Sequence, residues 1–247
     1  MLKKHYKDFS EAYFGVNREI LMHPQHLDYI VNTRGIVEDL FLTLDSIDCK
    51  KVDLAPLGYS PRKWGHLVKT YIDLDKLRGF FHLCKISRGV SIGYDFKRKY
   101  TGNGSCLREI ILTRHSGKKP WTKATVIWRA TELQKRWAAD LILLHHLLSK
   151  VPNSQFSEIE FFITSAYQSG MYVIPLVEPV FGVKMEDLDP AFHPYWKIIR
   201  HCNDRYYQED SPRQKLSMAE RMQDVADAIR EGKTFEPITY KDFELEV

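Results

Sequence analysis

The stretch WRATELQKRWAADLILLHH, residues 128–146, decides how the rest of the chain is interpreted. Its apolar residues recur at roughly helical spacing, at Leu133, Trp137, Leu141 and Leu144. The run LILLHHLL is also short and apolar enough to be a buried strand, and periodicity alone does not separate the two. His145 and His146 are adjacent, so they point in different directions in either structure and make a poor chelating pair. We therefore interpret them as histidines of the core.

The composition is that of a folded globular chain. The 247 residues are 44% hydrophobic and 13% aromatic, enough for one large α/β domain or two small ones. No apolar run approaches the roughly 18–20 residues that span a bilayer. The N-terminal MLKKHYKDFSEAYFG lacks the apolar core of a secretory signal, and the four cysteines form no CxxC pair. We therefore expect a cytoplasmic protein with no membrane association and no metal.

Positive charge is concentrated in one region. Residues 85–123 contain ten lysines or arginines and two acidic residues, which predicts an anionic partner. Arg88 and residues 97–100 form a basic patch with aromatic neighbours, a composition typical of nucleic-acid backbone binding and base stacking. The alternative is a solvated loop surface. A salt-dependent gel shift with random-sequence DNA or RNA would separate nucleic-acid binding from an enzymatic function, because phosphate contacts weaken with salt.

Three segments of the first third are predicted to be helical. HPQHLDYIVNTRGIVEDLFLTL (23–44) has apolar residues close to helical spacing. SPRKWGHLVKTYI (60–72) offers Ser60 as N-cap and Pro61 as first helical residue. DLDKLRGFFHLCKI, from Asp73, has an apolar stripe behind a carboxylate cap.

Strands are predicted in the middle of the chain, at residues 90–96, 108–114, 124–128 and 157–167. The polar segment KRKYTGNGS (97–105) is predicted to be a loop, and no GxGxxG or GxxxxGK[ST] motif occurs. A helix is expected from Met218 until Gly232, and an extended tail at 236–247. Strands mixed with helices indicate an α/β or α+β fold.

WRATELQKRWAADL resembles a segment of thymidylate synthases, in which a strand-end tryptophan precedes a "GELDK"-like turn and the nucleophilic cysteine. Trp128 matches that tryptophan, and residues 132–135 match the E-L-x-K of the turn. EIEFFITSAYQSGMYVIPLV (158–177) resembles the family's "QRSCDVFLGLPFN" segment, with Pro175 on the family proline. PITYKDFELEV (237–247) resembles the late "DFEL" strand. The related phage cytidylate hydroxymethylases share the fold and fit equally well.

The departures from the family fall on its reactive positions. They place Leu141 at the nucleophile, Asp140 at the preceding proline, Ala166 and Ser169 at a phosphate arginine and an aspartate, and Val177 at the base-reading asparagine. The family's thiolate adds to the pyrimidine ring, and a leucine side chain cannot do so. The resemblance also implies that DLILLHHLL is a central strand, and on that ground we predict a strand there.

The resemblance implies a cavity lined by Trp128, Asp140, Leu141, Tyr167, Gln168 and Ser169, with Arg114, Lys118 and Lys119 approaching from a loop. Asp140 is the candidate general base if burial raises its pKa, and an exposed cap is the alternative. Tyr167 is the candidate phenolic donor, or a packing residue. Gln168 and Ser169 would read a ring edge, or lie in a solvated loop. The basic side chains would hold a carboxylate or phosphate, or be surface charge.

The expected architecture is one α/β (α+β) domain, residues 1–247, with a central mixed sheet flanked by helices as in thymidylate synthase. The resemblance implies a homodimer with back-to-back sheets, contributed by LILLHHLL and EFFI. It implies a divergent folate-dependent methyl- or hydroxymethyltransferase that needs no cysteine, with 5,10-methylenetetrahydrofolate as cofactor and a small aromatic or nucleotide-like substrate. The alternative is a non-catalytic relative that binds nucleotide, nucleic acid or a protein through residues 85–123.

Overall fold

We analysed a computed structural model of the chain. It describes residues 1–23, 26–28, 34–54, 57, 59, 61–96, 106–117, 119–169, 176–178, 180–184 and 187. The described helices are α1 (Phe9–Met22), α2 (Pro61–Tyr71), α3 (Leu74–Ile86) and α4 (Arg136–Ser149). The strands are β1 (Leu2–Tyr6), β2 (His26–Asp28), β3 (Arg34–Leu44), β4 (Ser91–Asp95), β5 (Leu107–Thr113), β6 (Trp121–Glu132) and β7 (Ser154–Ser169).

These strands form one mixed sheet. Its order is β1-β3-β7-β6-β5-β4, with the short β2 paired to β3. The β1–β3 and β6–β7 pairs are parallel, and the remaining pairs are antiparallel. Helix α4 is the crossover that joins the parallel strands β6 and β7, as parallel neighbours require. The prediction of an α/β fold with a central mixed sheet is confirmed.

The described helices pack on one face of the sheet. Phe9 of α1 contacts Phe161 of β7, with ring centroids 5.1 Å apart. The indole of Trp121 in β6 donates to the carbonyl of Cys84 in α3 over 3.0 Å. On the opposite face Phe162 is 44% exposed and lies 4.6 Å from Phe41 between ring centroids. Within the described ranges, that second face carries no helix.

The helix predicted for residues 23–44 is wrong. Residues 26–28 and 34–44 are strands β2 and β3. Leu40, Leu42 and Leu44 are buried while the residues between them are not, which is the alternation of a strand with one covered face. Pairing to β1 on one side and β7 on the other places this segment inside the sheet, and that long-range pairing overrides the local spacing.

The strand predicted for DLILLHHLL is also wrong, because these residues belong to helix α4. The helical spacing that begins at Leu133 was the better guide, and the family resemblance misled. Ten of the fourteen helix residues are buried. A helix enclosed on nearly all sides loses the polar stripe that normally distinguishes it from a buried strand. The same result removes LILLHHLL from the expected dimer face, whereas EFFI does lie in β7.

The remaining local predictions inside the described ranges are confirmed. Helix α2 starts at Pro61, and α3 follows Asp73, whose carboxylate accepts from the backbone N–H of Lys76. The four predicted strands of the middle region correspond to β4, β5, β6 and β7. The loop at 97–105, the helix from Met218 and the tail at 236–247 lie outside the described residues.

In three neighbouring strands the parity of the buried residues changes at the same level. Buried residues occupy alternate positions up to Leu40 in β3, Ile163 in β7 and Trp128 in β6, which are register partners. Two consecutive uncovered residues lie next to these partners, at 38–39, 164–165 and 129–130. Beyond them the buried residues have the other parity in β3 and β7, at 35, 37, 166 and 168, whereas residues 131 and 132 of β6 are both buried. Asp39 in this row has a φ of 52°, in the left-handed region. We call it the parity row.

Candidate active site at the start of helix α4

Asp140 is a fully buried carboxylate in the second turn of helix α4. The indole Nε1 of Trp128, on β6, donates to its Oδ2 over 3.0 Å. Its Oδ1 is also buried and has no hydrogen-bond partner among the described residues. Buried polar atoms are nearly always paired, because an unpaired one carries a desolvation cost of about 1–3 kcal/mol. The second oxygen of Asp140 is therefore available to hydrogen-bond a ligand atom or to carry the proton of the carboxyl group.

Burial raises the pKa of Asp140 from 3.8 to about 7. The Trp128 hydrogen bond and the positive charge of Arg136 oppose this increase, and the charge of Glu132 adds to it. A carboxyl group with this pKa is present in both protonation states near neutral pH. That is the range in which a side chain can act as both general acid and general base.

The charged and phenolic groups near Asp140 come from distant parts of the chain. Arg136 lies one helical turn earlier on α4 and is exposed at the surface. Tyr71 ends α2 and is buried, and Tyr59 precedes that helix. Burial raises the pKa of both phenols, and Asp140 raises it further, so both are neutral donors at physiological pH. Asp140 is thus bordered by one cation and two phenols.

The turn before α4 is fixed by the carboxylate of Glu132. It accepts backbone N–H groups from Gln134 at 3.1 Å, Lys135 at 3.2 Å and Arg136 at 3.1 Å. Helix α4 has no side-chain hydrogen bond from its own N-cap residue, Lys135. Glu132 therefore satisfies the N–H groups that a helix start leaves unpaired.

The carbonyl groups of the same turn are held from other elements. The Tyr13 hydroxyl of α1 donates to the carbonyl of Gln134 over 2.6 Å, and Asn17 Nδ2 donates to that of Leu133 over 3.2 Å. The N–H of Leu133 donates to the carbonyl of Tyr167 on β7 over 2.9 Å. Helix α1 and strand β7 thus fix the position from which Arg136 and Asp140 project, which is the preorganisation that a site requires.

The predicted site residues on β7 have mainly structural contacts. Gln168 is buried, and its Nε2 donates to the backbone and side-chain oxygens of Asn17 at 2.8 and 2.9 Å. These bonds attach α1 to the sheet. Tyr167 is half-buried and contributes the backbone carbonyl that holds Leu133. Ser169 is the last residue of β7, and only its backbone is described.

The predicted anion ligands are not gathered around Asp140. Arg114 is buried, and it donates to the carbonyls of Gly89, Ser87 and Lys119 at 2.9, 2.5 and 3.3 Å. Its guanidinium lies 3.9 Å from the ring centroid of Trp121. Lys119 is exposed, and Lys118 lies outside the described residues, as do residues 97–105 of the basic region.

Leu141 is fully buried on α4 beside Asp140. Its equivalence to the family's nucleophile depended on a strand that is a helix instead. His145 is part-buried, and its Nδ1 lies 2.7 Å from the carbonyl of Ile47. The described residues contain no group of three or more His, Cys, Asp or Glu side chains that could hold a metal ion.

The sequence did not predict three of the groups around Asp140, namely Arg136, Tyr59 and Tyr71. The i,i+4 spacing of Arg136 and Asp140 was the available signal, and it becomes informative only when the segment is taken as a helix. Nothing local in the sequence connects either tyrosine to Asp140, because the chain between them passes through α3 and three strands.

No family model matches the sequence, and no curated protein matches it. No helix in the described part of the chain is both long and apolar enough to cross a membrane.

Proposed function

We propose that this protein is an enzyme in which Asp140 exchanges a proton with a small substrate. The observation that carries the proposal is a fully buried carboxyl group with one oxygen held by Trp128 and the other without a described partner. Its pKa of about 7 suits it to give and take a proton at neutral pH. Perturbed carboxyl groups of this kind are concentrated at functional sites.

The groups around Asp140 support a substrate of particular chemistry. Arg136 offers a cation near the surface, and cations of this type favour carboxylate or phosphate. The aromatic rings of Tyr59, Tyr71 and Trp128 favour a flat, apolar body. A small aromatic or nucleotide-like anion combines both properties, in agreement with the substrate that the family resemblance implies.

We propose one-carbon transfer as the reaction. A reduced folate, 5,10-methylenetetrahydrofolate, would supply the one-carbon unit. An electron-rich substrate ring needs no covalent activation by a cysteine. The ring carbon would bond to the methylene carbon as the bonds of that carbon to the folate nitrogens break, and water would complete a hydroxymethyl group, or a hydride from the reduced folate a methyl group. The ring carbon would lose its hydrogen as a proton, which the Asp140 carboxylate would accept. Arg136 would hold the anionic group of the substrate or of the folate.

Two measurements test this function. Calorimetry with a stable reduced folate at pH 7 is expected to show saturable binding. Tritium release from ring carbons, measured over a panel of labelled aromatic compounds and nucleotides with 5,10-methylenetetrahydrofolate present, is expected for at least one substrate. Tritium release without folate binding would support proton exchange by Asp140 and would contradict one-carbon transfer. A protein that binds random-sequence nucleic acid and does neither would support the non-catalytic alternative.

We also propose that the chain forms a homodimer through the helix-free face of the sheet. Phe162 and Phe41 form an aromatic pair on that face, and Phe162 is 44% exposed. Phe162→Glu is expected to shift a dimer to monomer in light scattering, because it places a charge in the apolar contact. Leu83→Glu on α3 is the matched control, since Leu83 is 48% exposed on a helix of the other face. A monomeric wild-type protein would reject this assembly.

A further inference from the structure

Glu132 is a second buried carboxylate at the start of α4, and the proposed proton transfer does not use it. It is almost completely inaccessible to solvent, although Glu is among the residues least often buried. Burying a carboxylate is costly unless hydrogen bonds compensate, and Glu132 receives three of them from backbone N–H groups. These bonds tie the carboxylate of Glu132 to the first turn of α4.

We propose that Glu132 is a positioning residue for Asp140 that acts through the first turn of helix α4. This inference rests on the proposed function of Asp140. The three N–H groups that Glu132 accepts belong to residues 134–136, so its carboxylate sets where the helix begins. Arg136 is the last of these residues, and Asp140 follows it by one turn. A displaced first turn would move both relative to Trp128.

The charges around the two carboxylates support the same role. Asp140 interacts electrostatically with Arg136, Glu132, Tyr59 and Tyr71. Glu132 interacts with Lys135 on its own turn and with Tyr13 of α1. Burial raises the pKa of Glu132, while its three backbone hydrogen bonds lower it. Its negative charge disfavours ionisation of Asp140, so it contributes to keeping that group protonated near neutral pH.

The test replaces Glu132 and measures the titration of Asp140 directly. Glu132→Gln keeps the side-chain length and removes the charge. The titration midpoint of Asp140, measured by NMR on carboxyl-labelled protein, is expected to decrease by about half a pH unit or more. The acidic limb of the pH–rate profile is expected to move by the same amount. The carboxyl readout needs no substrate, so it remains decisive if the proposed reaction fails.

Glu11→Gln is the matched control. The Glu11 carboxylate accepts the backbone N–H of Lys7 over 2.6 Å at the start of α1. This variant is expected to lose some stability and to leave the Asp140 midpoint unchanged.

Glu132→Asp covers the case in which Glu132→Gln does not fold. It keeps the charge, but its shorter side chain cannot reach all three N–H groups. The displaced turn would weaken the hydrogen bond from Trp128 that lowers the pKa of Asp140, so an increase of the midpoint is expected. An unchanged midpoint in whichever variants fold would overturn the proposal and leave Glu132 a structural cap.

Discussion

Strand β6 carries two tryptophans that each contact a buried charged side chain, and the two pairs are built differently. Arg114 lies over the ring of Trp121 and donates to three backbone carbonyls. Asp140 receives one hydrogen bond, from Trp128, and its second oxygen has no described partner. A buried charge whose hydrogen bonds are made within the chain serves the fold. We propose that the one left incomplete is a substrate site.

Removal of the Asp140 carboxylate gives the largest expected effect on activity. Asp140→Asn preserves the shape and an oxygen for Trp128 but abolishes proton exchange. We expect tritium release to fall by roughly 10²–10⁴-fold, the usual contribution of a general acid–base group. Asp75→Asn is the control, because Asp75 is an exposed carboxylate in the first turn of α3. If Asp140→Asn kept an activity within about threefold of wild type, Asp140 would have no catalytic role and would not differ from Arg114 in function.

Removal of the Arg114 guanidinium is expected to affect stability instead. Arg114→Met deletes its hydrogen bonds to three carbonyls and its contact with Trp121. We expect a loss on the order of 3 kcal/mol in the free energy of unfolding, since bonds to a charged group contribute about 1.5–3 kcal/mol each but are not additive. Arg129→Met, at an exposed site on β6, is expected to change it little. The measurement is urea denaturation, and a stable Arg114→Met with reduced substrate affinity would contradict this assignment.

The raised pKa of Asp140 predicts how stability depends on pH. The folded protein holds the Asp140 proton up to about pH 7, and the unfolded chain releases it near 3.8. The resulting stabilisation is therefore complete below about pH 4 and is lost as the pH rises through 7. Relative to Asp140→Asn, wild type should lose on the order of 3 kcal/mol between pH 4 and pH 8. The free energy of unfolding of each protein is measured by urea denaturation at each pH. If it changed with pH in the same way for both proteins, this prediction would be wrong.

The smallest expected effects come from replacing each of the two tryptophans with phenylalanine. Trp128→Phe removes the donor to Asp140 and should raise the pKa of that carboxyl further, by about half a unit to one unit. Trp121→Phe removes an equivalent indole bond, to the Cys84 carbonyl, and should leave the Asp140 midpoint in place. Both variants should lose about 1–2 kcal/mol of stability. NMR titration of the Asp140 carboxyl distinguishes them, and equal midpoints would show that the Trp128 bond is unimportant.

The sequence predicted best where local signals and the fold agree. Pro61 and Asp73 mark the starts of α2 and α3, and alternation marks β7. The sequence misled where contacts with distant parts of the chain decide the secondary structure. Strand β3 has strands on both sides, and helix α4 is buried nearly all round. Asp140 was a candidate only through the family resemblance of its segment. Tyr59 and Tyr71 could not be identified, because only the packing of α2 brings them near it.

The parity row limits how this chain can vary. A residue inserted or deleted in one of the strands β3, β6 or β7 would exchange its inward and outward side chains beyond Asp39, Arg129 or Thr164. In β7 it would turn Gln168 away from Asn17 and release the hold on α1. Length changes at this level are tolerable only when the neighbouring strands change together, so natural variants should keep the spacing of all three.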